Sequence, residues 1–323
     1  MSADLRLVVL DSIPLNPGDL DWTPLHQLGQ AVLHENTAPA QVAERIRDAD
    51  VVFSNKVPIR ADALGGASRL KLISVLATGY DIIDVQAAQQ AGILVCNVPA
   101  YSSDFTAQST IALLLELTNH IGAHAQSVRG GQWAQQEYFS FWNHTLIELS
   151  GKTLVIVGLG TIGRRVAGIA AALGMKVVAA QLPGRETEDR QYSRLPLDEA
   201  LALADVISLH CPLTPQTRSL INAERLSRMK PNVLLVNTSR GLLIDETALA
   251  TALHENRIGG YAGDVLSKEP PAADNPLLHA PHCLITPHIA WAARETRQRL
   301  LDVSLANLRA FLEGKPQNIV SQK

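Results

Sequence analysis

Short apolar runs recur along this chain, most of them separated by segments of helical character. That alternation limits the possible folds more than any other feature. One set of runs comprises Leu5–Leu10, Val51–Ser54, Leu72–Leu76 and Ile93–Cys96. A second comprises Leu154–Val157, Lys176–Ala180, Val206–Leu209, Val233–Val236, Gly260–Ala262 and Cys283–Ile285. Runs this short, with this β-branched content, read as strands buried on both faces. Segments such as Ile162–Leu173, Leu197–Leu203 and Glu246–Glu255 read as the helices between them. Such alternation predicts an α/β architecture with parallel sheets. A long helix, with N-cap candidates Ser102, Ser103 and Asp104 and an apolar stretch from Phe105 to Ile121, separates the two sets. Gly130-Gly131 ends the segment after it. Glu295–Leu312 reads as a last helix, stopped by Gly314-Lys315-Pro316. A chain of 323 residues has room for about two such domains.

Composition narrows the class. Hydrophobic residues make up 46 % and charged residues 18 %, enough to bury a large core. A net charge of −3 argues against a general nucleic-acid-binding surface, which carries a strongly basic footprint. Cys96, Cys211 and Cys283 are far apart and show neither a disulfide framework nor metal-ligand spacing, so a reducing, cytoplasmic setting is expected and no metal. The first apolar run is interrupted by Arg6 and reads as a strand rather than a secretory signal. No stretch reaches the ~18 apolar residues of a membrane span, so no membrane partner is expected.

The second set opens on Leu154-Val155-Ile156-Val157-Gly158-Leu159-Gly160-Thr161-Ile162-Gly163, a strand, a G-x-G-x-x-G turn and a helix start. Gly158 permits a tight turn, Gly160 lets backbone approach a pyrophosphate, and Gly163 lets the helix pack on the strand. The helix start adds free N–H groups and a positive dipole end, so the element is expected to bind a dinucleotide. An acidic residue ending the next strand would bond the ribose 2′-hydroxyl of NAD. Here that strand ends at Gln181, and Arg185 follows. The absence of a carboxylate removes repulsion against a 2′-phosphate, and Arg185 can pair with one. The alternative is that Gln181 bonds the hydroxyls of NAD and Arg185 is a solvated loop charge. The cofactor expectation is NADP or NAD, with the balance toward NADP.

Three polar side chains follow apolar strands: Arg240 after Val233–Ser239, Asp264 after Gly260–Gly263, and His288 after Cys283–Pro287. In an open parallel sheet the carboxyl ends of the strands share one edge, where ligands bind, and the glycine turn lies on it too. Glu269 follows in the loop after Asp264. These residue types suit carbonyl reduction. A guanidinium fork holds a carboxylate and a neighbouring carbonyl oxygen. An imidazolium protonates the developing alkoxide. A carboxylate on the other ring nitrogen orients the ring and favours its charged form. Taken singly, each has a plain structural reading; their placement on one edge beside a nucleotide loop gives the functional one its weight.

These segments together resemble the D-isomer-specific 2-hydroxyacid dehydrogenases, and within them the glycerate dehydrogenases and hydroxypyruvate reductases. The resemblance runs over nearly the whole chain. It rests on Ala77-Thr78-Gly79-Tyr80-Asp81-Ile82-Ile83-Asp84, on Gly158–Gly163 and on His210-Cys211-Pro212-Leu213-Thr214. It rests further on Asn237-Thr238-Ser239-Arg240-Gly241, on Gly263-Asp264-Val265 through Glu269-Pro270, and on Thr286-Pro287-His288-Ile289-Ala290. The fold it implies is two doubly wound α/β domains, a Rossmann cofactor domain (101–290) inserted into a flavodoxin-like substrate domain (1–100 plus 291–323). The implied catalytic set is Arg240, Glu269 and His288, with backbone N–H groups around Thr78 and Gly79 holding the substrate carboxylate. Implied cofactor contacts are Thr78, Gly158, Gly160, Thr161, Ile162, Gly163, Gln181, Cys211, Pro212, Thr238, Ser239, Arg240, Asp264 and His288, beside Arg185. The implied reaction is hydride exchange between a nicotinamide coenzyme and a small 2-oxo or 2-hydroxy acid. The contrasting reading is a nucleotide-sensing co-repressor-like scaffold without turnover, against which stand the full Arg–Glu–His set and the lack of long disordered tails. Many family members carry an acidic residue where this chain has Gln181.

The aromatic stretch Trp133, Tyr138, Phe139, Phe141, Trp142 has no clean period. It reads either as a loop packed on a neighbouring surface or as an arm joining two subunits. With the resemblance, a homodimer is expected, with Trp142 a candidate to reach the partner's site.

Overall fold

The structure, a computed structural model, describes residues 5–184, 189 and 191–320. The chain divides into two compact units: residues 1–102 with 292–323, and residues 103–291.

The first unit is built on a sheet of five parallel strands: β1 (Arg6–Val9), β2 (Gln30–Leu33), β3 (Val51–Ser54), β4 (Leu72–Val75) and β5 (Leu94–Cys96). Their order is β2-β1-β3-β4-β5, the flavodoxin-like arrangement. The helix Arg294–Leu312 returns to this unit, and Ile319 bridges Cys96. β2 was not among the apolar runs of the sequence. It is an edge strand whose burial alternates, with Val32 52 % exposed, so it lacks the continuous apolar signature of its neighbours.

The second unit holds seven parallel strands: β6 (Thr153–Val157), β7 (Lys176–Ala180), β8 (Arg194–Leu195), β9 (Val206–Leu209), β10 (Leu234–Asn237), β11 (Gly260–Gly263) and β12 (Cys283–Ile285). The order is β12-β11-β10-β9-β6-β7-β8. Both faces are covered. Leu154 and Ile156 join one core with Leu114, Val166 and Val236, while Val155 and Val157 face another with Ile207, Leu235 and Leu249. Strand order reverses between β6 and β9, which opens a crevice at their carboxyl ends.

The long helix expected through Ile121 is broken in two, α1 (Ser103–Asn119) and α2 (Ile121–Arg129). His120 between them takes a left-handed conformation (φ +48°), and the Glu116 carboxylate accepts from the Gly122 N–H at 3.1 Å, which caps the new helix start. The apolar run continues through the break because hydropathy does not register a change of backbone hand. No helix among the described residues is long and apolar enough to cross a membrane.

Candidate active site

The crevice is lined by the turn after β6. Gly158 has φ +103°, and a side chain there would drive its Cβ to 2.5 Å from the Cys211 backbone nitrogen in the turn after β9. Gly163 is equally constrained, since a Cβ would come within 2.3 Å of the Gly158 carbonyl oxygen. These two glycines press the turn against β9 and against the helix that follows, α3 (Thr161–Ala172). Gly160, the N-cap of α3, faces open space and, as a glycine, offers no side-chain cap to the helix. The unpaired N–H groups of that first turn therefore point outward, an anion cradle for a pyrophosphate. Beside it lies a cavity of about 200 Å³ bounded by Gly158, Leu159, Gly160, Ala180, Leu182, Arg194, His210 and Pro212. The residues present fit a dinucleotide.

The other residues marked by the sequence are distributed over both units. Cys211 is buried, and burial pushes its thiol up to about 11, so its side chain is inert packing while its backbone nitrogen packs against Gly158. Its carbonyl accepts from the Ser239 hydroxyl at 2.7 Å, which ties the turn after β9 to the turn after β10. Thr238 shares a 2.8 Å hydroxyl–hydroxyl bond with Thr110 of α1. Gln181 is half buried, and its N–H donates to the Leu195 carbonyl. Arg185 lies outside the described residues. Thr78 and Gly79 belong to the first unit, in the loop after β4. There the Thr78 hydroxyl donates to the Val98 carbonyl at 2.8 Å, and the Thr78 carbonyl accepts from the Asn97 amide at 2.7 Å.

Arg240, Glu269 and His288 follow β10, β11 and β12, three adjacent strands with a common carboxyl edge. His288 Nδ1 lies 2.5 Å from Glu269 Oε2. The other carboxylate oxygen of Glu269 accepts from the Leu266 N–H at 3.0 Å, which fixes the acid's orientation. Arg240 is exposed and has no carboxylate partner among the described residues; its guanidinium donates to the neighbouring Ser239 carbonyl. Gly241 packs so tightly on the Leu266 backbone that a Cβ would overlap it at 1.9 Å. The Arg240 turn and the Glu269 loop are thus in direct contact.

Asp264 is the hub of this edge. Buried, it accepts from the Thr286 hydroxyl at 2.6 Å and from the N–H groups of Ile289 at 2.8 Å and Ala290 at 2.7 Å. Those bonds straddle His288, which sits at φ +55°, in the left-handed region that non-glycine residues adopt less often. The Trp291 indole donates to the His288 carbonyl, and the Thr106 hydroxyl of α1 to that of Ala290, both closing the same loop.

Arg194 and His210 line the cavity without having been singled out as site residues. Arg194 sits in a two-residue strand with no local motif. The His210 ring shares a hydrogen bond with the Ser208 hydroxyl at 2.8 Å, and desolvation pushes its pKa down to about 4, so the ring is neutral.

Comparison with known proteins agrees with this geometry. Residues 111–290 match the family described as D-isomer specific 2-hydroxyacid dehydrogenase, NAD binding domain. A hydroxypyruvate reductase of Blautia hydrogenotrophica is 44 % identical over 98 % of this chain and 100 % of its own length. A glycerate dehydrogenase of Methylorubrum extorquens is 41 % identical over 98 % of each. Among solved structures, a Thermus thermophilus protein superimposes with a TM-score of 0.88 at 36 % identity, covering 98 % of this chain and 100 % of that one. A matched dinucleotide cradle, a paired histidine and glutamate on the same sheet edge, and full-length similarity at this level place the chain in the D-isomer-specific 2-hydroxyacid dehydrogenase family, nicotinamide-dependent oxidoreductases of small 2-hydroxy acids.

Proposed function

We propose that this chain reduces hydroxypyruvate and glyoxylate to D-glycerate and glycolate. The observation that carries the reading is the 2.5 Å contact between His288 and Glu269 on the edge that also presents Arg240 without a carboxylate partner among the described residues. Arg240 is the unneutralised cation that a 2-oxo acid needs, its planar fork suited to the carboxylate and the adjacent carbonyl oxygen. Glu269 accepts the Nδ1 proton of His288 and so presents Nε2 to the substrate. In reduction, protonated Nε2 gives its proton to the carbonyl oxygen as that oxygen becomes an alkoxide; in oxidation, neutral Nε2 takes the hydroxyl proton back. Asp264 holds the loop that aims the ring. Gly160, Thr161 and Ile162 would hold the coenzyme pyrophosphate, and the nicotinamide, when bound, supplies or accepts the hydride. NADP is used at least as well as NAD, because no carboxylate ends β7.

The enzyme acts as a homodimer. Ile121 is 61 % exposed, Tyr138 75 %, Phe139 90 % and Trp142 68 %, and no residue of α2 is buried. An apolar surface of this kind requires a cover. The names of the two bacterial relatives favour hydroxypyruvate and glycerate as substrate and product. Initial rates with hydroxypyruvate, glyoxylate and pyruvate, each with NADPH and NADH, test the proposal. Turnover of hydroxypyruvate to the D-product is the expected result. No turnover of any 2-oxo acid by a protein that still binds coenzyme would overturn it.

A further inference from the structure

We infer that Arg194 is the 2′-phosphate receptor of the coenzyme pocket, the residue that sets selectivity for a phosphorylated adenosine ribose. The inference rests on the coenzyme-dependent function proposed above and adds to it the residue and the chemistry of the discrimination.

Arg194 is half buried at the start of β8, in register with Ala179 of β7, and lines the cavity beside the glycine turn. Its Nε is fully buried and finds no hydrogen-bond partner among the described residues. A buried, unpartnered guanidinium nitrogen is unfavourable by more than an ordinary lost hydrogen bond, so such a group calls for a ligand. Neighbouring cations are in a different state. Arg164 is paired with Asp189, and Arg165 with Asp104 at 2.6 Å. Each already holds a carboxylate.

Among the described residues, the rest of the lining supplies no counter-charge. Gly158, Leu159, Gly160, Ala180, Leu182 and Pro212 are uncharged, and His210 is held neutral by desolvation. Among the described residues of the cavity wall, Arg194 is therefore the one fixed charge and none is a carboxylate. A dinucleotide offers two kinds of anion. Its pyrophosphate matches the open N–H groups at the start of α3. The anion left for Arg194, on the β7–β8 side, is a phosphate on the adenosine ribose. A guanidinium is suited to it because it donates two parallel hydrogen bonds to phosphate oxygens. The charged residue marked by sequence, Arg185, is outside the described residues; the structure directs attention to a different arginine.

The test compares adenosine 2′,5′-bisphosphate with 5′-AMP, which differ only in the 2′-phosphate, by calorimetric titration of the full-length protein. The wild type is expected to bind the bisphosphate about 10- to 100-fold more tightly. Arg194→Met should reduce that ratio to near one, and Arg194→Lys, which keeps a point charge without the fork, should give an intermediate ratio. A wild-type ratio near one overturns the inference without any variant. So does an unchanged ratio in Arg194→Met, equal weakening of both nucleotides (which would assign Arg194 to the adenine), or collapse of the ratio in Arg185→Met alone. If Arg194→Met does not fold, a wild-type ratio in Arg194→Lys overturns it. Wild-type reduction of hydroxypyruvate, measured in parallel, separates the two claims. Turnover without a 2′-phosphate preference refutes only the role of Arg194. A preference without turnover of any 2-oxo acid refutes only the proposed reaction.

Discussion

Replacing Asp264 with asparagine is the sharpest probe of how the site is held. The carboxylate accepts three hydrogen bonds, from Thr286, Ile289 and Ala290. The amide of asparagine keeps one oxygen, which can retain the Thr286 and Ile289 bonds without their charge assistance. Its NH₂ then faces the Ala290 N–H, donor against donor. Loss of one charge-assisted bond, weakening of two others and an unsatisfied buried N–H amount to about 2–4 kcal/mol. In a unit of this size that lowers Tm by roughly 5–15 °C. The effect on catalysis follows from position. The three bonds hold a loop whose central residue, His288, sits at φ +55°, and releasing them lets that backbone relax and carries the ring away from Glu269. A fall in kcat of about 10- to 100-fold is expected, part of the 10²–10⁴ that a positioned general acid supplies. Thermal denaturation and steady-state reduction of hydroxypyruvate measure both. A Tm within about 2 °C of wild type together with kcat within about twofold would refute the reasoning.

Two further outcomes are expected. His210, with a pKa pushed from 6.5 to about 4 by desolvation, stays neutral in the folded protein while the unfolded chain takes up a proton. Stability from this group is present above pH 6.5 and declines as pH falls toward 4, by about 3 kcal/mol in all. His210→Gln should flatten the fall of Tm over that window, and an unaltered profile would contradict the assignment. The exposed aromatics predict a dimer in sedimentation at about micromolar concentration, shifted toward monomer by Phe139→Ser with Trp142→Ser; a monomeric wild type would show that the arm is not an interface.

The parallel sheets were legible because strands covered on both faces are mostly apolar, and β6, β9 and β10 carry one polar residue each, Thr153, Ser208 and Asn237, among apolar ones. Arg240, Glu269 and His288 were marked because each follows a short strand, although β11 is Gly-Tyr-Ala-Gly and β12 only half buried, and parallel strand direction sends all three to one edge. The function of Asp264 in holding the His288 loop was not legible. Its three partners lie 22 to 26 residues away, and nothing local marks a buried carboxylate as an anchor rather than a cofactor contact. Arg194 was invisible for a related reason. Its strand has two residues, and only the packed cavity reveals that its Nε lacks a partner among the described residues. The break at His120 escaped because the apolar run continues through it, while the cap that fixes the break depends on the Glu116 side chain folding back onto Gly122.

The central claim, that His288 oriented by Glu269 moves the proton in 2-oxo acid reduction, is tested most directly by His288→Gln, with turnover and coenzyme binding measured on the same preparation. The account predicts that kcat for hydroxypyruvate falls by about 10²–10⁴ while the coenzyme Kd, read from protein fluorescence, stays within about threefold of wild type. Turnover near the wild-type rate in that variant would contradict it.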